Sequence, residues 1–328
     1  MTALVITVAL ALIFTFTNGF HDAANAIAVS VATRALRLGI ALGVAAVGNL
    51  VGSFFGAKVA ATVGSGIIEL PQGGGVMLVV GASLVGAIVW NLITWRFGLP
   101  SSSSHALIGG MVGAALPAGV TVLWGGVVDK VLIPMVASPL AGFVAGYAMM
   151  LILMWTFRRV PPTKVRRGFR HAQIGSATAM AFGHGMQDTA KTMGVVVLAL
   201  NVAGVHSGQT IPLWVYLTCA GTMSAGTAIG GVRIMKTLGS KVTALDPPQG
   251  FAAELVGSGV LYGASIGLGA PISTTHVISS AIMGVGATRR LSAVNWRVAV
   301  NIVKAWVYTF PGAGLIAAAV WAVGSLFL

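Results

Sequence analysis

Apolar residues along this chain come in long runs, not in the alternating pattern of a half-exposed strand. The runs cover roughly 3–33, 38–63, 76–97, 102–124, 131–157, 174–201, 211–235, 251–268, 273–288 and 303–328, and charges, Pro and Gly set their ends. About 20 apolar residues in a helix cross the hydrocarbon core, whereas shorter runs such as 273–288 read as half-helices or re-entrant pieces. The pattern predicts an all-α polytopic membrane protein with about 10–12 membrane segments. Met1–Thr17 lacks a basic stretch ahead of its apolar run, so it reads as a first membrane helix and not as a cleaved signal.

Composition agrees. Hydrophobic residues make up 56% of the 328 and charged residues 8%, and mean hydropathy is +0.93. A soluble globule carries roughly a quarter charged residues to face water. The 45 glycines suit helices that approach closely in lipid. A formal charge of +13 would suggest a polyanion partner in a soluble chain. Here the bases read as cytoplasmic flanks of membrane segments, with the lipid bilayer and not nucleic acid as partner. The one cysteine, Cys219, excludes an internal disulfide and a CxxC site.

One stretch breaks the apolar pattern. Residues 158–172 carry Arg158, Arg159, Lys164, Arg166, Arg167, Arg170 and His171 with Pro161 and Pro162, and read as a basic cytoplasmic linker. It divides a first repeat, 1–157, from a second, 173–328. With the linker inside and an odd number of crossings in each half, only Lys58, Arg96, Lys130 and Lys191 of the 19 basic residues fall outside the cytoplasmic set. Both termini then lie outside, and the second half is inverted relative to the first.

The halves also match in sequence. Gly98-Leu-Pro-Ser-Ser-Ser-Ser-His105 aligns with Gly269-Ala-Pro-Ile-Ser-Thr-Thr-His276, and Gly19-Phe-His-Asp-Ala-Ala-Asn25 with Gly185-Met-Gln-Asp-Thr-Ala-Lys191. The two pairs recur in the same order at similar separations. Inverted repeats with broken helices at the midplane are a signature of secondary transporters, not of enzymes.

The repeated motifs carry chemistry. Pro100 and Pro271 end an incoming segment, and the hydroxyls of Ser102, Ser103, Ser104, Ser273, Thr274 and Thr275 suit helix N-caps. Free N–H groups and the positive helix end make such a start an anion site. Two of them facing one another would surround a tetrahedral oxyanion; the alternative is plain caps on kinked helices. Asp22 and Asp188 lie in apolar runs, where a carboxylate marks an ion or proton path. The nearby Asn18-Gly19 and Gly183-His184-Gly185 predict unwound turns whose carbonyls would help ligate a cation. Asn25 and Lys191 stand one turn further on, as candidates for the anion or for the charge of Asp188. His21, Gln187 and Glu254 join the aspartates as coupling-ion or proton candidates, and His184 is a further titrating neighbour. His105 and His276 are candidates for orienting the half-helices.

Other patterns are weaker. Gly263-Ala-Ser-Ile-Gly267 matches a nucleophile elbow but lies inside an apolar helix. Gly48, Gly52 and Gly56, and Gly142 and Gly146, have helix-packing spacing. No spacing fits a zinc site or a P-loop, so neither a metal nor another cofactor is expected apart from a coupling cation.

At these motifs, and at Asn301-Ile-Val-Lys-Ala-Trp-Val-Tyr-Thr-Phe-Pro311, the sequence resembles the PiT family of inorganic phosphate transporters, in particular its short bacterial members. The resemblance spans nearly the whole chain. It implies phosphate uptake by symport with Na+ or H+, an inverted-repeat fold and a homodimer in the cytoplasmic (inner) membrane. It also implies that Asp22, Asn25 and Asp188 serve coupling and gating while Ser102, Ser103, Ser273 and Thr274 surround phosphate, taken free or as a metal complex. The family commonly has Asn before each aspartate; here His21 and Gln187 stand there, which weakens a tight Na+ site and favours proton coupling. The large hydrophilic loop of some relatives is absent. Alternatives are a sulfate permease of the same fold, a channel, or an intramembrane hydrolase using a serine with His105 or His276.

Overall fold

The computed structural model describes residues 1–69 and 74–327. Among the described residues there is no strand, only an isolated bridge between Ile68 and Val122. The chain forms α1 (Thr2–Ala32), α2 (Leu38–Ser53), α3 (Ala57–Ser65), α4 (Gly74–Phe97), α5 (Ser103–Ala115), the short α6 (Trp124–Val127) and α7 (Ile133–Thr156). There follow α8 (Pro162–Val202), α9 (Leu213–Ile229), the short α10 (Val232–Lys236), α11 (Pro247–Tyr262), α12 (Thr274–Ala287) and α13 (Trp296–Ser325). The order long helix, two shorter helices, helix, half-helix, long helix therefore occurs twice.

Among the described residues, five helical stretches are long and apolar enough to cross a membrane: Thr2–Ala32, Gly75–Phe97, Trp124–Thr156, Pro247–Leu268 and Trp296–Ser325. The pair α2–α3, bent by 69°, makes a sixth if taken as one span. The remaining apolar runs form the half-helices α5 and α12, the 17-residue α9, and α8, whose middle is polar. The protein is a multi-pass membrane protein. With 13 and 14 residues, α5 and α12 reach only about 20 Å, short of the hydrocarbon thickness. Every residue of α12 is buried.

The two halves interlock. Half-helix α5 packs on α4 of its own half and on α13 of the other; α12 packs on its own α11 and on α7 of the other. In the same way α8 lies against α2 and α1 against α9. The Gly48/Gly52/Gly56 ladder serves the α2–α8 contact and Gly142/Gly146 the α7–α12 contact, so both spacings pack this chain internally.

Three segments bear on the sequence expectations. First, α1 and α8 run unbroken through Asn18-Gly19 and Gly183–Gly185, with no unwound turn. In lipid an opened backbone turn costs several kcal/mol, and here the glycines serve close approach. A Cβ on Gly19 would stand 2.6 Å from the Met223 carbonyl oxygen, and one on Gly185 2.4 Å from that of Asn49. Second, the basic stretch 158–172 is helical from Pro162 onward: proline starts α8, which continues for 41 residues. Third, Gly263–Leu268 is a π-helical end to α11, in line with its expected place inside a helix and not on a nucleophile elbow.

Candidate functional site

The two hydroxyl-rich motifs fold alike. Gly98 and Gly269 turn the chain at φ +65° and +59°, the left-handed region that glycine enters freely. Pro100 and Pro271 lie in the segments that follow. Ser102 and Ser273 then cap α5 and α12: each Oγ accepts the backbone N–H of the histidine three residues on, at 3.2 Å. The motifs meet at the centre of the molecule. The Ser104 hydroxyl donates to the Ile272 carbonyl at 3.2 Å. Asn25 of α1 donates to Thr275 Oγ1 at 2.7 Å and lies 3.3 Å from Thr274 Oγ1. Lys191 of α8 donates to Ser104 Oγ and to the Ile272 carbonyl. The residues aligned as Asn25 and Lys191 thus reach hydroxyls aligned as Thr275 and Ser104.

The aspartates follow the same rule. Ser103 donates to Asp22 Oδ2 at 2.8 Å, and Thr274 donates to Asp188 Oδ2 at 2.9 Å. Thr275 Oγ1 lies 3.5 Å from Asp22 Oδ1, linking the second motif to the first aspartate. Each carboxylate also has an imidazole partner. His21 Nδ1 is 2.7 Å from Asp22 Oδ1, and His184 Nε2 is 3.0 Å from Asp188 Oδ2. Lys191 forms a direct ion pair with Asp188. All these groups are at most 2% exposed, so charge in the cluster faces protein groups and not water. Ligand atoms of Asp22, His184 and Asp188 lie within 4.8 Å of one another and could hold a cation, in partial competition with Lys191. Sequence spacing did not reveal this group, because it joins α1 to α8.

Residues 18–317 match the model of the phosphate transporter family. The chain belongs to this family. It is 48% identical to a probable low-affinity inorganic phosphate transporter of Rhizobium meliloti, over 95% of this chain and 93% of that one. It is 43% identical to a protein of Bacillus subtilis with the same description, again over 95% and 93% of the two chains. A solved structure described as the sodium-dependent phosphate transporter superposes with a TM-score of 0.92 at 28% identity, with both chains covered in full. The relatives are transporters, not enzymes.

Several residues of this family member complete the site without having been picked out in the sequence. Thr94 and Ser101 hold His21: Thr94 Oγ1 is 3.0 Å from Nε2, and Ser101 donates to Thr94 at 2.8 Å. Asn49 of α2 lies 2.8 Å from His184 Nδ1 and donates to Thr227 at the same distance. The i, i+4 spacing of His184 and Asp188 was the available signal for that pair. Gln187 turns its amide nitrogen to the Ala270 carbonyl, 3.1 Å away, and leaves Oε1 buried without a partner. His105 and His276 meet edge to face behind the half-helix starts, ring centroids 4.8 Å apart. Trp306 stacks on His276 and donates to the Pro100 carbonyl at 3.1 Å.

Glu254 stands apart from the cluster. It accepts from Ser176 at 2.6 Å and lies 3.4 Å from the Gln173 amide nitrogen. Ser176 is about 18 Å from Asp188 along α8. The structure does not bring Glu254 to the aspartates, because the helix rise separates residues that share the apolar pattern.

Proposed function

We propose that this protein carries inorganic phosphate across the cytoplasmic membrane by cation-coupled symport and alternating access. The reading rests chiefly on one observation: two matched helix starts meet in hydrogen-bond contact beside two buried aspartates, one from each half. Their first-turn amides and hydroxyls are oxyanion ligands of the type that helix N-termini provide. The hydroxyls of Ser103 and Thr274 are turned onto the carboxylates, and the cluster is closed to solvent. An occluded state with phosphate admitted by rotation of these donors fits that arrangement. A cavity of about 630 Å³ between α3, residues 119–121 and the end of α8 supports an entrance on one side. The basic α7–α8 turn faces the cytoplasm in this reading, with both termini outside.

Coupling follows from charge. Two carboxylates against one ammonium leave the cluster short of positive charge while its histidines are neutral. A phosphate anion entering so dry a site needs a cation or proton with it. Lys191 already supplies a tethered cation to Asp188, His21 hydrogen-bonds Asp22, and His184 lies against Asp188. This favours protons over Na+ as the travelling charge. A carboxylate acceptor near the anion also favours phosphate over sulfate, because phosphate near neutral pH retains a proton to donate.

Uptake of 32P-phosphate into proteoliposomes tests the reading. An inward proton gradient should drive accumulation, a Na+ gradient alone should not, and excess sulfate should compete weakly. Accumulation driven by Na+ alone would overturn the proton assignment, and no uptake under either gradient would overturn the transport reading. The homodimer that the resemblance implies is read from the mass of the purified particle.

A further inference from the structure

The surface where α7 turns into α8 has no part in the mechanism above, and it combines an apolar groove with a basic rim. Between the end of α7, the first turns of α8 and the start of α11 runs an apolar groove of about 480 Å³. Leu153, Phe157, Val165, Phe169 and Phe251 line it. Phe169 forms its floor, edge to face with Phe157 and Phe251 at centroid distances of 5.1 and 5.2 Å. An adjoining hollow of about 300 Å³ continues past Arg158 and Arg166.

The rim is basic. Arg158, Arg159, Lys164, Arg166, Arg167 and Arg170 are all exposed, and residues 158–172 contain no acid. Asp246, which lines the adjoining hollow, is already paired with Arg289 at 2.6 Å and caps α11. It therefore does not neutralise the rim. The sequence of α8 explains the juxtaposition. Val165, Phe169 and Ala172 fall on one helical face, while the bases cover the others. At 41 residues α8 is about 60 Å long, roughly twice the hydrocarbon thickness, so its first turns extend to the membrane boundary. Exposed Trp155, with Arg158 5.3 Å from its ring centroid, marks the same level.

We propose that this groove is a binding site for an anionic phospholipid, with an acyl chain on Phe157, Val165 and Phe169 and the headgroup phosphate held by Arg158, Lys164 and Arg166. Charge complementarity selects this occupant. A purely apolar partner would leave the basic rim unanswered, whereas a lipid phosphate places one negative charge beside it at the depth where the groove opens. Juxtamembrane clusters of Lys and Arg attract anionic headgroups for the same reason.

Native mass spectrometry of the full-length protein, released from micelles doped with equal phosphatidylglycerol and phosphatidylcholine, tests the proposal. The wild type should retain phosphatidylglycerol selectively. The R158Q/K164Q/R166Q variant should lose that preference by on the order of a hundredfold. A second variant, Gly168→Phe, fills the groove and keeps every charge; a Cβ at Gly168 meets nothing within 4 Å, so the fold should tolerate it. It should retain less phosphatidylglycerol with an unchanged thermal midpoint. Equal retention of both lipids by the wild type, or undiminished selectivity in both variants, would overturn the assignment. So would efficient cross-linking between two copies through Val160→Cys, which would give the groove to a second chain.

Discussion

Replacing Asp188 with Asn should sharply lower concentrative phosphate uptake and also destabilise the protein, and the two losses should be separable. Asp188 accepts from Thr274, lies against His184 and is ion-paired with Lys191, all inside a core that excludes water. Removing the carboxylate leaves the Lys191 ammonium buried without its counter-charge, which costs about 3–5 kcal/mol. The double variant D188N/K191Q removes both charges and should recover most of that loss in thermal unfolding. It should not recover uptake. If Asp188 acts in transport, losing its charge-assisted contacts lowers uptake roughly ten- to a hundredfold even in the restabilised protein. Uptake returning together with stability would assign the pair to structure alone.

The second large effect is steric. Gly185→Ala is expected to push α2 away from α8, because the new Cβ would stand 2.4 Å from the Asn49 carbonyl oxygen and 2.5 Å from its Cα. Backbone cannot rotate aside as a flexible side chain can. Overpacking at such a contact costs about 1–3 kcal/mol or more. The displacement also moves Asn49, which holds His184 at 2.8 Å, so uptake should fall with stability. Gly168→Ala, on the exposed start of α8 with nothing near the new Cβ, is the control and should leave both unchanged. Wild-type stability and uptake in the Gly185→Ala protein would contradict the packing account.

These effects show what could be read from the chain alone. The repeated motifs located both half-helix starts, and the caps at Ser102 and Ser273 form as their residue types require. The membrane class followed from the long apolar runs, since lipid demands that backbone groups be satisfied within each helix. The glycines near the aspartates misled, since the same rule keeps α1 and α8 unbroken there. Glycines that read as helix breaks are instead contact points, because a glycine in a span is ambiguous until its neighbour is known. Glu254 was grouped with the aspartates by being acidic and apolar-flanked, and only the helix rise shows it to be elsewhere. His184 and Asp188 were within local reach of sequence reasoning, but Thr94, Asn49 and Trp306 were not.

The sequence by itself determined the family, the membrane setting, the two helix starts and the two aspartates within apolar runs, because each depends on local composition, capping chemistry or an internal repeat. Only the tertiary structure decided which half supplies which partner: Asn25 to Thr275, Lys191 to Ser104, and α5 and α12 to the closing helices of opposite halves. Such exchanges join residues far apart in the chain. They depend on how whole helices pack in three dimensions, and no local pattern encodes that.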